Sequence, residues 1–394
     1  MKKISHRYVR KTAAGVVALS MLCAAAIPSV LAMPAGAASA SGDLNGDGSV
    51  TAADVAILQT SLLGGTALTA EQYANADVTG DGAVDGLDLT RLRQMAAVVP
   101  VSDAIAIHLS DSGITVEGDT KGVTAVSGKA VTISASGNYT VDGSITDGQI
   151  LVNIPDTTAD SDAVSLYLQD VTMTSSNGAP CILGQSAKKL KLTCSGENTL
   201  TDTAAEANAD TSGVIYGDCD ITVTKNSTGT LNITSSMNTA IRSKDDIKLN
   251  GGAVVINTDV DDTSDADAIR ANNTLEVDGA SVSITSSADG LKSSKEDVSI
   301  LSGKVSIKVG NDAVQAATAL NISGGTVIAS GDRGFTLDEN GTLAITGGDV
   351  LATATDYAFG MDSSGAAVTV DTSGCTQGVV QLDYAAEWKK SNAV

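Results

Sequence analysis

One short stretch recurs as Asp267-Ala268-Ile269-Arg270-Ala271, Asp289-Gly290-Leu291-Lys292-Ser293 and Asp312-Ala313-Val314-Gln315-Ala316, at spacings of 22 and 23 residues. Each copy is followed by a run that alternates apolar and polar residues and contains a glycine turn, as in Leu320-Asn321-Ile322-Ser323-Gly324. A period in the twenties is typical of a solenoid, because one turn cannot bury its apolar face alone whereas stacked turns can. The repeat therefore predicts a coil of β-strands.

Aligning the copies produces three columns of apolar residues. The first holds Leu231, Val254, Val282, Val305, Val327 and Val350, the second Ile241, Ile269, Leu291, Val314, Phe335 and Phe359, and the third Ile247, Leu275, Val298, Leu320 and Leu343. Three columns per turn, with turns stacked about 4.8 Å apart, describe a three-sided coil with a continuous core. We predict a mostly β fold, a right-handed parallel β-helix over residues 107–385, followed by a tail at 386–394.

The N-terminal forty residues have the pattern of a secretory signal peptide. Basic residues including Lys2, Lys3 and Arg7 precede an apolar run over 13–26, and Ala38-Ser39-Ala40 is a small-residue cleavage site. Removing the five lysines and arginines of this segment changes the formal charge from -22 to -27. Such acidity disfavours nucleic acid and membrane surfaces as partners and favours divalent cations. No later stretch approaches the length of a membrane span, so we expect a secreted protein.

The cysteines and histidines restrict the chemistry. Cys181, Cys194, Cys219 and Cys375 match no metal-ligand spacing, so we interpret them as core residues, and a bridge among the first three stays open. Only His6 and His108 occur, and His6 lies in the signal segment, which excludes a histidine-based catalytic triad.

Residues 41–98 contain two loops with the spacing of calcium ligands, beginning at Asp43 and Asp77. A hard cation needs six to eight oxygens at about 2.3 to 2.6 Å, and glycine at loop position 6 allows the sharp turn that brings them together. Ser49 and Ala83 occupy the position that ligates through a backbone carbonyl. The predicted ligands are Asp43, Asn45, Asp47, Ser49, Thr51 and Asp54 in the first loop and Asp77, Thr79, Asp81, Ala83, Asp85 and Asp88 in the second.

This segment resembles a type I dockerin, because Asp replaces the usual Glu at loop position 12 and a single helix pattern follows each loop. The resemblance implies a small all-α domain that calcium folds and that docks to a cohesin of a scaffoldin, as in cellulosomes. It also implies cohesin contacts at loop positions 10 and 11, which are Ala52 and Ala53 in the first loop and Gly86 and Leu87 in the second. A short linker at 99–106 separates it from the coil.

The recurring stretch also places charges in columns. Asp267, Asp289 and Asp312 fall at one corner of successive turns, and the insertion before them adds Asp261, Asp262 and Asp265, which together predict calcium binding. A solvated loop and a structural aspartate ladder are the alternatives. Arg242, Arg270 and Lys292 form a basic line at about 10 Å from the aspartates, too far to neutralise them directly.

Small residues lie between the two lines. If this column, Ala240, Ala268, Gly290, Ala313, Gly334 and Ala358, faces outward, it forms a shallow trough between acidic and basic groups. Such a trough suits an acidic polysaccharide, with carboxylates paired to Arg242, Arg270 and Lys292 and bridged elsewhere by calcium.

The repeats, with Arg242-Ser243-Lys244-Asp245-Asp246-Ile247 and the Gly-Gly turns, resemble a family of secreted carbohydrate-binding β-helix proteins related in fold to pectate lyases. The resemblance implies calcium on the coil and binding of plant cell-wall polysaccharide, especially polygalacturonate. The alternative is a calcium-dependent pectate-type lyase with Lys292 as base, and a purely structural surface protein is a third class. Trp388 is the only tryptophan, so an ionic, calcium-dependent mode of binding is expected.

Overall fold

The computed structural model describes residues 42–46, 50, 52–96, 104–258 and 266–372. Three helices lie in its N-terminal part: α1 (Ala52–Leu62), α2 (Ala70–Ala76) and α3 (Gly86–Ala96). Leu58 and Leu92, at helical spacing from their apolar neighbours, are fully buried together with Leu44 and Ala76 and form a small core. Thr69 closes a capping box with Gln72 at the start of α2, which satisfies two backbone N–H groups.

The remainder consists of β-strands. The first half contains β1 (Ile105–Ser110), β2 (Gly113–Glu117), β3 (Thr124–Ser127), β4 (Ala130–Ile133), β5 (Gly137–Thr146), β6 (Gln149–Asn153), β7 (Ala163–Ser175), β8 (Ile182–Ser186), β9 (Lys189–Ser195), β10 (Glu197–Asp202), β11 (Ile215–Gly217), β12 (Asp220–Val223) and β13 (Thr230–Ser235). The second half contains β14 (Ile241–Ser243), β15 (Ile247–Leu249), β16 (Ala253–Thr258), β17 (Ile269–Ala271), β18 (Leu275–Ser286), β19 (Leu291–Ser293), β20 (Val298–Val309), β21 (Asp312–Ala316), β22 (Ala319–Ile322), β23 (Thr326–Leu337), β24 (Thr342–Ile345), β25 (Asp349–Tyr357) and β26 (Thr369–Asp371).

These strands form a parallel β-helix of about nine turns, as predicted. From β4 onward the strands pair in parallel with the equivalent strands of the neighbouring turns, as β14 does with β17 and β17 with β19. Two antiparallel hairpins, β1–β2 and β3–β4, begin the coil. Antiparallel pairing at the first turns shields an edge that would otherwise expose unpaired backbone groups.

The apolar columns are the paired positions of the coil. Leu231 lies opposite Val254, Val254 opposite Val282, and the register continues in the same way to Val350. The second column runs in register from Ile241 to Phe335 and the third from Ile247 to Leu343. These side chains share one continuous core. The spacing of apolar residues therefore predicted both the strands and their register.

The cysteines within the described residues are core residues. Cys181, Cys194 and Cys219 are buried free thiols, so the bridge that the sequence left open is not formed. Burial raises the pKa of each of these thiols to about 12, which keeps them protonated and unreactive. Among the described helices, none has the length and apolar character needed to cross a membrane.

Candidate functional site: a charged ladder and two cation loops

The aspartate column lies inside the molecule. Asp267 and Asp289 are each 2% exposed and lie just before β17 and β19, and Asp312 is 1% exposed and begins β21. The backbone N–H of Asp312 donates to the Asp289 carboxylate at 3.0 Å, so the column also links adjacent turns. Buried carboxylates need hydrogen bonds or cations to offset the loss of water.

Basic side chains supply that compensation, which corrects the predicted separation of about 10 Å. Lys292 Nζ lies 2.8 Å from Asp289 Oδ2 and 3.6 Å from Asp267 Oδ1, and Arg270 Nη1 lies 3.6 Å from Asp267 Oδ2. Arg333 stands in the aspartate column itself, opposite Asp312 in the register, and pairs with it. The prediction considered only the separation of the residues along the backbone, whereas the long, flexible basic side chains fold back along the strand to reach the carboxylates. We call these six residues the ion-pair ladder.

The column of small residues faces the interior, contrary to the trough geometry that the sequence suggested. Ala240, Ala268 and Ala313 are fully buried and Ala358 is 6% exposed. A Cβ on Gly290 would lie 2.4 Å from the carbonyl oxygen of Ala313, which only glycine avoids. Ala240, Ala268 and Gly290 sit in bends before their strands, where alternation does not apply. The physical reason for small residues in this column is that the backbones of adjacent turns approach closely there.

Burial dominates the electrostatics of the ladder. It raises the pKa of Asp267 well above its usual range, because the loss of water outweighs the nearby Lys292 and Arg270 charges. Burial, with Asp289 next to it, likewise raises the pKa of Asp312 to about 6 despite its pair with Arg333. For Lys292, burial opposes the charge, but Asp267 and Asp289 raise its pKa, so the ammonium group is retained.

The raised pKa of Asp312 predicts that the stability of the β-helix depends on pH. The folded state binds the Asp312 proton more tightly than the unfolded state, where the pKa is 3.8. The stabilisation of the folded state by the proton on Asp312 is therefore complete below about pH 4 and is lost as the pH rises through about 6. The free energy of unfolding decreases by up to about 3 kcal/mol over this range. Asp312→Asn keeps a neutral side chain at every pH. We expect denaturant unfolding between pH 4.5 and 7.5, in saturating calcium, to show a smaller decrease in stability for Asp312→Asn than for the wild type; equal pH dependence would contradict the assignment.

The outward side of the same strands carries the predicted basic residues in register. Arg242 lies opposite Arg270, and Arg270 opposite Lys292, in the central outward positions of β14, β17 and β19. The structure thus brings the three predicted substrate-binding residues together. They differ in their contacts: Arg270 and Lys292 have carboxylate partners, whereas Arg242 makes no polar contact with any residue that the structure describes.

The second cation loop is described in full. One oxygen from each of Asp77, Asp81 and Asp88 lies within 4.8 Å of the others. Asp88 is fully buried, and burial opposes its charge, but hydrogen bonds from the backbone N–H groups of Asp85 and Thr79 lower the pKa of Asp88. The Thr79 hydroxyl donates to the same carboxylate at 3.0 Å. Ionised oxygens gathered around a glycine-containing turn suit calcium.

The first loop follows the same plan where it is described. The Asp54 carboxylate is fully buried and accepts from the backbone N–H groups of Leu44 and Asn45 at 2.8 and 2.9 Å. Asp43 accepts from Gly46 at 2.7 Å. The predicted ligands Asp47, Ser49 and Thr51 lie outside the residues that the structure describes.

Comparison with known proteins identifies both parts of the chain. A family model described as "Carbohydrate-binding domain-containing protein" matches residues 127–383. The chain belongs to that carbohydrate-binding family. A model of the dockerin type I domain matches residues 41–95, which contain both cation loops. The combination of a dockerin with a carbohydrate-binding domain is that of an extracellular, cellulosome-type protein.

Two further proteins are similar to part of the chain. A curated protein of the same description from Acetivibrio thermocellus is 33% identical over 138 residues, which are 34% of this chain and 46% of that protein. The chain thus spans about half the length of this relative. A solved structure, described as a polysaccharide lyase-like protein from C. thermocellum, covers 70% of this chain and 98% of its own at 19% identity and a TM-score of 0.41. At that TM-score the similarity bears on neither fold nor function.

The remaining predicted residues are the cohesin contacts and the aspartates of the insertion. Leu87, a predicted cohesin contact at the start of α3 beside Gly86, is 64% exposed. Ala52 and Ala53 begin α1, and their side chains lie outside the described set. The predicted calcium ligands Asp261, Asp262 and Asp265 also lie outside the described residues. All of these remain predictions.

One acidic cluster was missed by sequence reasoning. Asp220, Asp245 and Asp246 bring carboxylate oxygens within 4.8 Å of one another at a different corner of the carbohydrate-binding domain. Burial, followed by the charges of Asp245 and Asp246, raises the pKa of Asp220. The available signal was that Asp220 and Asp246 each precede the same inward column, at Ile221 and Ile247.

Proposed function

We propose that this protein is secreted, docks through its dockerin to a cohesin of a scaffoldin, and binds acidic plant cell-wall polysaccharide on its β-helix without cleaving it. The polysaccharide that the site suits best is polygalacturonate-like, a chain of carboxylates. Calcium is the implied cofactor. Membranes and nucleic acid are not proposed as partners, because the chain carries a net charge of -22.

The observation that carries this proposal is the environment of Arg242. In a chain with 46 acidic and 24 basic residues, this guanidinium stands on an outward strand position without a carboxylate among the described residues. Its ladder neighbours Arg270 and Lys292 are largely neutralised by Asp267 and Asp289. Among the described residues, no carboxylate compensates the positive charge of Arg242, and a planar guanidinium pairs well with a carboxylate.

The proposed calcium dependence rests on the dockerin loops. In the second loop, oxygens of Asp77, Asp81 and Asp88 lie within 4.8 Å of one another and would hold one calcium ion, together with Thr79, the carbonyl of Ala83 and Asp85. In the first loop, Asp43, Asn45 and Asp54 would hold a second ion among the described residues. Bound calcium would neutralise these carboxylates and so allow the loops to close. In the ion-pair ladder, by contrast, Arg270, Lys292 and Arg333 already neutralise Asp267, Asp289 and Asp312. Calcium binding by those three aspartates stays a prediction, which the positions of these basic side chains disfavour.

The lyase alternative loses its candidate base. A base must offer a neutral amine near the working pH. Lys292 is held by Asp289 and Asp267, which raise its pKa, and its side chain is only 19% exposed. Such a group keeps its proton, so we favour binding over catalysis.

A binding experiment tests the proposal. We expect the mature protein to bind polygalacturonate in calcium and Arg242→Ala to bind about tenfold more weakly, with a shallower salt dependence. Lys304→Ala, which removes an exposed lysine elsewhere on the coil, is the matched control and should bind normally. Ultraviolet absorbance of unsaturated product is followed in the same samples.

Two results would overturn the proposal. Equal affinity of the wild type and Arg242→Ala for polygalacturonate would show that Arg242 does not bind the polysaccharide. Growth of absorbance that Lys292→Ala abolishes would establish the lyase instead.

A further inference from the structure

A second outward face of the β-helix carries an aromatic side chain. In β7 the residues Val164, Leu166 and Leu168 point into the core, so the alternating Ser165, Tyr167 and Gln169 point outward. Among the aromatic residues of the described coil, Tyr139, Tyr216, Phe335 and Tyr357 are buried, Phe359 packs against the core, and Tyr167 is partly exposed on this face.

Small side chains flank Tyr167 along the coil, and Tyr167 is partly exposed. Its partners in the preceding and following turns are Thr140 and Thr193, which are too small to cover a phenol ring. The Tyr167 hydroxyl donates to Asn138 Oδ1 at 3.4 Å, and Thr193 Oγ1 lies 2.8 Å from Thr224 Oγ1. The face is therefore an aromatic platform bordered by ordered hydroxyl groups. Such an amphipathic ring is well suited to a ligand with both apolar and polar surfaces.

Positive charge lies beside the platform. Lys191 stands opposite Ser165 in the next turn, two positions from Thr193, and Lys248 lies two turns further along the same outward column. Lys248 is 3.7 Å from Glu276, an exposed pair that contributes little. Lys191 makes no polar contact with any residue in the described part of the chain. Its charge is available to an anionic ligand.

The same column opens into a cavity at its other end. Asn138, which accepts from Tyr167, also lines an open cavity of about 640 Å³ at the first turns of the coil, together with Asp119, Lys121 and Ser136. This volume lies in the range of small-ligand sites. From Asn138 through Ser165 and Lys191 to Lys248, the outward column crosses four turns, or about 19 Å at the rung spacing.

We propose that this face is a second polysaccharide site, where Tyr167 stacks against one sugar ring of an acidic chain and Lys191 pairs with a carboxylate. A pyranose ring presents C–H groups on its faces and hydroxyl groups at its edge, which match the phenol ring and the surrounding threonines. Each turn advances by about 4.8 Å, similar to one residue of an extended polysaccharide, so the chain would lie along the coil axis. The site rests on the proposed function for its ligand class but on different residues.

Four variants of the full mature chain test this site, with oligogalacturonate titrated by calorimetry in saturating calcium. Tyr167→Ala should weaken binding about tenfold or more, whereas Tyr167→Phe retains the ring and should change it less than about threefold. Lys191→Ala should weaken binding about three- to tenfold and reduce the salt dependence. Lys304→Ala should bind as the wild type does. Thermal unfolding of each variant confirms that its coil is intact.

The outcomes separate this site from the one at Arg242. If Arg242→Ala weakens binding and Tyr167→Ala does not, the second site is wrong and the proposed function stands. If both weaken it independently, both sites stand. If only the Tyr167 and Lys191 variants lose affinity, the polysaccharide binds here instead of at Arg242. An equal loss of affinity in Tyr167→Phe and Tyr167→Ala would show that ring stacking does not hold the ligand. Equal affinity for an uncharged glucan would show that the ligand need not be acidic.

Discussion

Replacing Asp289 with alanine is expected to lower the free energy of unfolding of the β-helix by about 3 to 5 kcal/mol. The Asp289 carboxylate is 2% exposed and accepts from Lys292 Nζ at 2.8 Å and from the backbone N–H of Asp312 at 3.0 Å. Its removal leaves the backbone donor without this acceptor and Lys292 with Asp267 as its remaining carboxylate partner in the ladder. Uncompensated buried charge costs more than the pair contributes.

Denaturant unfolding followed by far-ultraviolet circular dichroism measures this loss. Asp349→Ala is the matched control, because Asp349 is an exposed aspartate at the start of β25, and it should change stability by less than about 0.5 kcal/mol. The double variant Asp289→Ala with Lys292→Met removes both charges and should recover part of the loss. A single Asp289→Ala variant as stable as the control would show that the ladder is not a structural element.

Removing calcium is expected to unfold the dockerin and leave the β-helix folded. Asp54 and Asp88 are fully buried carboxylates in a domain whose described buried core is Leu44, Leu58, Ala76 and Leu92. Without a cation, the gathered carboxylates repel one another, and so small a core cannot offset that repulsion. At a calcium concentration one hundred times the dissociation constant, each site stabilises the fold by about 2.7 kcal/mol.

Hydrogen exchange read by mass spectrometry locates the effect. With excess chelator, amides of α1 and α3 should exchange at least about 100-fold faster, while those of β18 and β20 should not change. Asp88→Ala should reproduce much of this loss in calcium, and Glu71→Ala, which removes an exposed acid of the same domain, should not. Cohesin capture should fall in parallel. Chelation that leaves the exchange of α1 and α3 unchanged would contradict the calcium prediction.

Much of the fold was predictable because the repeat follows from the spacing of apolar residues along the chain. Val254 and Val282 are separated by 28 residues and yet lie opposite each other, because the extra residues of the sequence come after β16 has ended and before β17 begins. Only the apolar positions have to recur for the turns to stack. The cation loops were equally legible, since their ligands are close together in the chain.

The charged residues were less predictable. The separation of Asp289 and Lys292 along the strand suggested that they could not interact, but the lysine side chain folds back to contact the carboxylate. The Asp220 cluster and the Tyr167 face are each formed by residues from different turns that do not belong to one sequence motif. Their proximity depends on which turns are adjacent and which way each side chain points.

The sequence by itself determined the coil, its register and the dockerin, because apolar periodicity and ligand spacing act locally and repeat. Only the tertiary structure decided that the aspartate column is buried, that Arg270, Lys292 and Arg333 neutralise it, and that Arg242 and Lys191 have no such partners within the described chain. The physical reason is that burial and charge pairing depend on side-chain direction across neighbouring turns. A one-dimensional pattern specifies which turns stack but does not specify which charges meet.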